Sequence, residues 1–138
     1  MITTLEKYPI LRQIIPLTVV VWTIITLYLT LSPTEYIAEA GVFQFDKVGH
    51  FAMFGGWTGL IGLYLMIYKK NYNLNLLPLI IAGILFGAFV EFLQIVLPID
   101  RSPGYMDMLA NTLGCLTAYG ILKILQSRAK ASVSKSVH

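Results

Sequence analysis

Four long apolar segments, separated by short polar connections, dominate the pattern along the chain. Each is close to the roughly 20 residues that an α-helix needs to cross the hydrocarbon core of a bilayer. The pattern therefore predicts an all-α membrane protein, built as a single domain from a bundle of four transmembrane helices. The predicted spans cover residues 14–31, 48–68, 76–97 and 106–125, and a flexible tail follows at residues 126–138.

The connection between the first and second spans carries a helix-start signal. Ser32, Pro33 and Glu35 have the spacing of a capping box, with serine at the N-cap and proline at the first helical position. We therefore expect a short interfacial helix that is ended by Gly41 and lies along the membrane surface. The Ser-Pro-Gly sequence at residues 102–104 predicts a tight turn before the fourth span.

The composition supports the membrane class and excludes other classes. The chain is 57% hydrophobic and 12% charged, with a mean hydropathy of +0.72, whereas soluble domains are about 25% charged. The one cysteine, Cys115, excludes an intrachain disulfide. The net charge of +3 is modest and comes from residues that flank the spans, so we expect no nucleic-acid partner.

The positive charges are distributed unequally between the two sides of the predicted bundle. Lys47 and Arg101 flank one side, and the other eight of the 10 Lys and Arg residues flank the opposite side. Because cytoplasmic connections carry an excess of Lys and Arg, we expect both termini in the cytoplasm. His50 and six of the seven acidic residues then fall on the outer side, and these six are Glu35, Glu39, Asp46, Glu91, Asp100 and Asp107.

Helical spacing predicts that polar residues of three spans face one another. One narrow stripe of the third span carries Gly83, Gly87, Glu91 and Gln94. The fourth span repeats this arrangement with Asp107, Asn111, Gly114 and Ala118. Glycines permit close approach of a neighbouring helix, so Glu91 is expected to point into the bundle. On the second span Asp46, Lys47 and His50 share a face, while the glycines lie mostly opposite, which predicts a central helix with neighbours on both sides.

An ionisable residue in a membrane span needs an explanation, since it costs roughly 2.5–3.5 kcal/mol at the centre of the span. The polar set suits three tasks. Lys47 and Arg101 could hold an anionic head group, Glu91 and His50 could exchange protons, or His50, Glu91 and Asp107 could bind a metal.

The metal hypothesis is the weakest of the three, because the sequence has no metal-binding motif, and we expect neither metal nor cofactor. There is also a purely structural alternative. Asp107 could be an N-cap, Asn111 could join helices, and Arg101 could neutralise Asp100.

The residues of this polar set resemble the VanZ-like family of small bacterial membrane proteins. The matching pattern consists of Asp46, Lys47, His50, Phe51, Phe54, Glu91, Gln94, Pro98, Arg101, Asp107, Asn111 and Gly114. The namesake of the family is associated with resistance to the glycopeptide antibiotic teicoplanin, whose target is a cell-wall precursor at the outer membrane face. The resemblance therefore implies a multi-pass protein of the bacterial cytoplasmic membrane with a site at its outer face, and it implies no particular reaction.

Our principal hypothesis is that the protein binds, and in one version chemically modifies, an anionic lipid or a lipid-linked envelope intermediate. The candidate catalytic residues are Glu91, His50 and Asp107. The candidate substrate-binding residues are Asp46, Lys47, Gln94, Arg101 and Asn111. Two alternatives stay open: a protein whose polar network only fixes helix packing while it binds a partner, and a small-solute or proton-coupled transporter. The sequence is also compatible with a homo-oligomer.

Overall fold

A computed structural model describes residues 9–33, 46–69, 72–98 and 104–135, and all regular structure within these ranges is helical. The helices are α1 (Pro9–Leu31), α2 (Asp46–Lys69), α3 (Leu77–Val96) and α4 (Tyr105–Lys135). Each contains a stretch long and apolar enough to cross a membrane. The predicted all-α fold with four transmembrane helices is therefore confirmed. The predicted interfacial helix after Pro33 lies outside the described residues.

Two helix ends differ from the prediction. Helix α1 begins at Pro9, five residues before the predicted start of the first span, and it contains Pro16. Helix α4 continues past residue 125 to Lys135, so residues 126–135, which we predicted to be part of a flexible tail, are helical. This extension is packed, since Ala129 is buried and Gln126 donates a hydrogen bond from Nε2 to the carbonyl of Leu74, at 2.9 Å.

Helix α2 is the centre of the bundle. It contacts α1, α3 and α4, and its most extensive interface is with α4, in agreement with the central position predicted for the second span. Glycines make this interface close. A Cβ atom on Gly55 would lie 2.9 Å from the carbonyl oxygen of Gly114, and a Cβ atom on Gly114 would collide with the carbonyl of Phe51. Backbone therefore packs directly on backbone where α2 meets α4.

The interior contains two clusters of buried apolar side chains. The cluster nearer to the start of α2 consists of Phe54, Ile80, Val90 and Cys115. The other cluster consists of Ile15, Met66, Ile67, Leu76, Leu79, Leu122 and Ala129. Outside these clusters the helices carry many exposed large apolar side chains, such as Leu17, Leu85 and Ile95. A helix that is apolar on all sides, including its exposed side, is typical of a membrane span.

Candidate functional site

Three helices bring His50, Glu91 and Asn111 into one buried cluster, which we call the polar cluster. The Nδ1 atom of His50 lies 3.0 Å from the Oδ1 atom of Asn111. The Nδ2 atom of Asn111 donates a hydrogen bond to Oε1 of Glu91 at 3.5 Å, and the same oxygen lies 3.8 Å from Nδ1 of His50. All three residues are at most 4% exposed. The structure therefore joins three polar residues that lie far apart in the sequence.

The three residues meet because they lie at similar depths on neighbouring helices. His50 is near the start of α2, Glu91 near the end of α3 and Asn111 near the start of α4. At 1.5 Å per residue, each lies about 6–9 Å from that end of its helix. A glycine then allows α3 to approach α4 at this level, since a Cβ atom on Gly87 would lie only 3.1 Å from Cβ of Asn111. The polar cluster therefore lies near one end of the bundle.

Glu91, although buried, also borders a groove between α3 and α4. Its Oε2 atom accepts a hydrogen bond from the backbone N–H of Gly104 at 3.4 Å. Its side chain lines a cavity of about 350 Å³ between α3 and the start of α4, which we call the α3–α4 groove. The groove is lined by Ala88, Glu91, Phe92, Ile95, Gly104, Tyr105 and Met108. Because Tyr105 is 80% exposed and Ile95 66% exposed, the groove opens toward the surroundings of the bundle.

Lys47 and Asp107 form an ion pair about one helical turn closer to the same end of the bundle. The Nζ atom of Lys47 lies 3.8 Å from Oδ1 of Asp107, and the lysine side chain is 63% exposed. Helix α4 begins at Tyr105, so Gly104, not Asp107, is the residue that precedes the helix. The N-cap alternative for Asp107 is therefore wrong, although a carboxylate in the first turn still interacts favourably with the helix dipole.

Gln94 lies one turn beyond Glu91 but contacts a different helix. Its Nε2 atom donates a hydrogen bond to the backbone carbonyl of Thr30 at 2.8 Å. Helix α1 ends at Leu31, so this carbonyl is one of the last four, which have no partner within the helix. An unsatisfied backbone group costs several kcal/mol inside a membrane. The amide of Gln94 therefore provides a hydrogen-bond donor for a carbonyl in the last turn of α1 and does not join the polar cluster.

The other predicted site residues are not placed by the structure. The side chain of Asp46 and all of Arg101 lie outside the described residues, so their roles stay predictions. Among the residues that are described, no three His, Cys, Asp or Glu side chains converge in a way that could hold a metal ion.

Three groups at the site are not predicted by the sequence, namely the carbonyl of Thr30, the N–H of Gly104 and the groove wall at Tyr105. Two of them are backbone groups, which every residue type carries, so no sequence signal could have identified them. Tyr105 had a weak signal, because tyrosine is enriched where a span meets the membrane surface.

A comparison with known protein families identifies the family to which most of the chain is similar. The model of the VanZ/LLP1 family matches residues 5–126, a range that contains all eight predicted site residues. No curated protein and no solved structure matches the chain.

Proposed function

The chain belongs to the VanZ/LLP1 family, and we propose that it binds an anionic lipid or a lipid-linked cell-envelope intermediate through the polar cluster. We place the protein in the bacterial cytoplasmic membrane, with the polar cluster toward the extracytoplasmic face and both termini in the cytoplasm. The distribution of Lys and Arg residues supports this orientation. The four membrane-length helices and the family membership support the setting.

One observation carries the proposal: the buried carboxylate of the polar cluster belongs to a residue that also lines a groove. Among the residues whose side chains are described, Glu91 is the one Asp, Glu, Lys or Arg residue that is buried. Ionisable residues within membrane helices are costly and mark ligand and ion sites more often than not. Glu91 also lines the α3–α4 groove, so a ligand that occupies the groove would contact its carboxylate directly.

The proposed division of roles follows the contacts of each residue. Glu91 and His50 form the pair that would exchange a proton with a bound head group, and Asn111 holds both in position through its amide. Lys47 would bind the anionic part of the ligand, together with Arg101. Because its side chain is 63% exposed, Lys47 can contact a phosphate from the surroundings while it stays beside Asp107, whose side chain is 13% exposed.

The contact of Gln94 with Thr30 favours a positioning role for this residue over substrate binding. By donating a hydrogen bond to the end of α1, Gln94 would hold α1 against α3 beside the polar cluster. The proposal therefore relies on Glu91, His50, Asn111 and Lys47 among the described residues.

Native mass spectrometry of protein released gently from its own membrane tests the proposal. We expect the wild type to retain an anionic lipid and Glu91→Gln to retain about 10-fold to 100-fold less, the effect of losing a charge-assisted hydrogen bond of about 1.5–3 kcal/mol. Thr58→Val is the matched control, since it removes a buried hydroxyl that bonds Cys115 and lines neither the cluster nor the groove. Equal retention by wild type and Glu91→Gln would count decisively against lipid binding at this site.

The resemblance to the teicoplanin-resistance protein supports one further part of the proposal. We propose that binding of an envelope intermediate at this site lowers the susceptibility of the cell to teicoplanin. Expression of the wild type in a susceptible bacterium should then raise the inhibitory concentration, whereas Glu91→Gln at the same membrane abundance should not. An equal rise in the inhibitory concentration with both proteins would show that the resistance does not depend on this site.

A second candidate function is structural, and the bridging position of Asn111 favours it. Its amide contacts both His50 and Glu91, so the polar cluster could serve only to fix the helices in register while another surface binds a partner protein. In that case Glu91→Gln should lower the melting temperature in detergent and leave lipid retention unchanged. Loss of lipid with an unchanged melting temperature would exclude this function.

A further inference from the structure

We propose that a membrane lipid reaches the site sideways from the bilayer through the α3–α4 groove, with an acyl chain between the helices and the head group at Glu91. This inference rests on the proposed function, because it takes the ligand to be a lipid. It adds the route of entry and the chemical character of the head group.

The walls of the groove match an acyl chain rather than a water-soluble molecule. Phe92, Ile95 and Met108 line it and are 55%, 66% and 44% exposed. In a membrane these side chains face lipid, so an acyl chain in the bilayer can contact them directly. Among the lining residues that the structure describes, Glu91 is the one with a charged side chain, and it accepts a hydrogen bond from the backbone N–H of Gly104. The described part of the groove, with its apolar walls and the carboxylate of Glu91, fits an amphiphile.

The polar groups beside the groove define the head group. In the structure both oxygens of Glu91 act as acceptors, toward the backbone N–H of Gly104 and the amide of Asn111, so a head group that contacts them is expected to bring a hydroxyl or ammonium donor. Gly104 borders the carboxylate of Asp107, since a Cβ atom on Gly104 would lie 2.6 Å from Oδ2 of Asp107. Asp107 in turn pairs with Lys47, whose ammonium is exposed and available to a phosphate. The combination specifies an anionic lipid with a hydroxyl-bearing head group, the class to which phosphatidylglycerol belongs.

A second groove provides the internal comparison. It lies between α2 and α4, has a volume of about 400 Å³ and is lined by apolar and small residues that include Phe51, Gly59 and Ile121. No charged side chain is among its described lining residues. Lipid tails are as apolar as these side chains, so chain contacts alone give little selectivity inside a bilayer. Selection of one head group is therefore expected at the α3–α4 groove and not at this second groove.

Site-specific photocrosslinking distinguishes the two grooves. Benzoylphenylalanine replaces one phenylalanine at a time. The test positions are Phe92 in the α3–α4 groove and Phe51 in the second groove. The control position is Phe89, which is 53% exposed and is among the described lining residues of neither groove. The protein is reconstituted in phosphatidylcholine vesicles that contain phosphatidylglycerol as the minor component. Adducts are then identified by mass spectrometry, and their lipid composition is compared with that of the vesicle.

We expect phosphatidylglycerol to be enriched about fivefold in the adducts at position 92, which corresponds to about 1 kcal/mol of selectivity. Adducts at positions 51 and 89 should follow the vesicle composition. The enrichment at position 92 should disappear in the Glu91→Gln background. Enrichment at position 51 instead, or none at any position, would overturn the proposed route.

A steric block separates failure of the route from failure of the proposed function. Ala88→Phe fills the α3–α4 groove, and Ala82→Phe makes the same change on an exposed part of α3 outside it. In native mass spectrometry we expect Ala88→Phe to lose the retained lipid and Ala82→Phe to keep it. If the wild type retains lipid in a Glu91-dependent manner and Ala88→Phe retains it equally, the route is wrong and the proposed function stands. If the wild type retains no anionic lipid, the proposed function itself fails.

Discussion

The ring of His50 and the amide of Asn111 are joined by a contact of 3.0 Å between Nδ1 and Oδ1. The amide oxygen of asparagine only accepts hydrogen bonds, so Nδ1 of His50 carries the proton in this arrangement. The other end of the same amide donates to Glu91, which agrees with this orientation of Asn111. One asparagine thus fixes both the tautomer of the histidine and the position of the carboxylate.

Replacement of Asn111 should therefore weaken the whole polar cluster. We expect Asn111→Leu to lower the free energy of unfolding by about 1–2 kcal/mol, because both contacts are lost and a buried carboxylate loses a donor. Thermal melting in detergent measures the change. Thr112→Val on the same helix is the control, since the Thr112 hydroxyl donates to the carbonyl of Met108 one turn away. A melting temperature that drops equally in both variants would contradict the bridging role.

The bond from Gln94 to Thr30 leads to a different expectation. Gln94→Leu should lower the melting temperature, because the last turn of α1 loses the donor for a buried carbonyl. It should leave lipid retention close to that of the wild type, since Gln94 lies outside the polar cluster. Gln126→Leu is a matched control, because its amide bonds the carbonyl of Leu74 toward the other end of the bundle. If Gln94→Leu loses the lipid and Gln126→Leu keeps it, at equal melting temperatures, then Gln94 is a substrate-binding residue after all.

A methyl group added to a glycine of the α2–α4 interface should affect stability very differently from one added to Gly120, elsewhere on α4. Gly114→Ala should destabilise the bundle strongly, by about 2 kcal/mol or more, because the new methyl group would meet the backbone of Phe51. A Cβ atom on Gly120 meets no atom within 4 Å. Gly120→Ala should therefore be neutral or stabilise the helix by up to about 1 kcal/mol. Melting of the two variants in the same detergent checks the contrast, and similar behaviour of both would refute the close approach.

The residues of the polar cluster could be predicted because two physical rules act on them together. A charged group avoids lipid, and helical spacing places Glu91 on the same stripe as Gly83 and Gly87. The glycine stripe, which can approach another helix closely, is therefore also the side of α3 on which the carboxylate is buried away from lipid. The partner of Gly87 could not be predicted, because it is the side chain of Asn111 and not a second glycine.

The parts of the fold that differ from the prediction depend on features that hydropathy does not report. The extension of α4 beyond residue 125 is polar, whereas the apolar pattern predicts a span that ends at residue 125. A helix can continue outside the membrane when its residues favour helix and one side packs, as Ala129 does here. The α3–α4 groove likewise depends on how two helices diverge, which residue spacing along one helix does not define.

The ion pair of Lys47 and Asp107 provides the last prediction, which concerns affinity rather than stability. Lys47→Gln should change the free energy of unfolding by no more than about 1 kcal/mol, because the lysine side chain is 63% exposed and the glutamine amide still offers a donor to Asp107, whose side chain is 13% exposed. It should nevertheless weaken the retention of anionic lipid, since an exposed cation near an anionic head group contributes about 1 kcal/mol.

The comparison of Lys47→Gln with Lys47→Arg makes this prediction specific. Arginine keeps the positive charge and binds phosphate well, so Lys47→Arg should retain the anionic lipid while Lys47→Gln loses about fivefold in retention. Because screening weakens exposed charges, added salt should reduce retention by the wild type toward that of Lys47→Gln. The opposite pattern, with lipid retention insensitive to both charge and salt, would mean that Lys47 serves only to pair with Asp107 and that the head group is held by other residues.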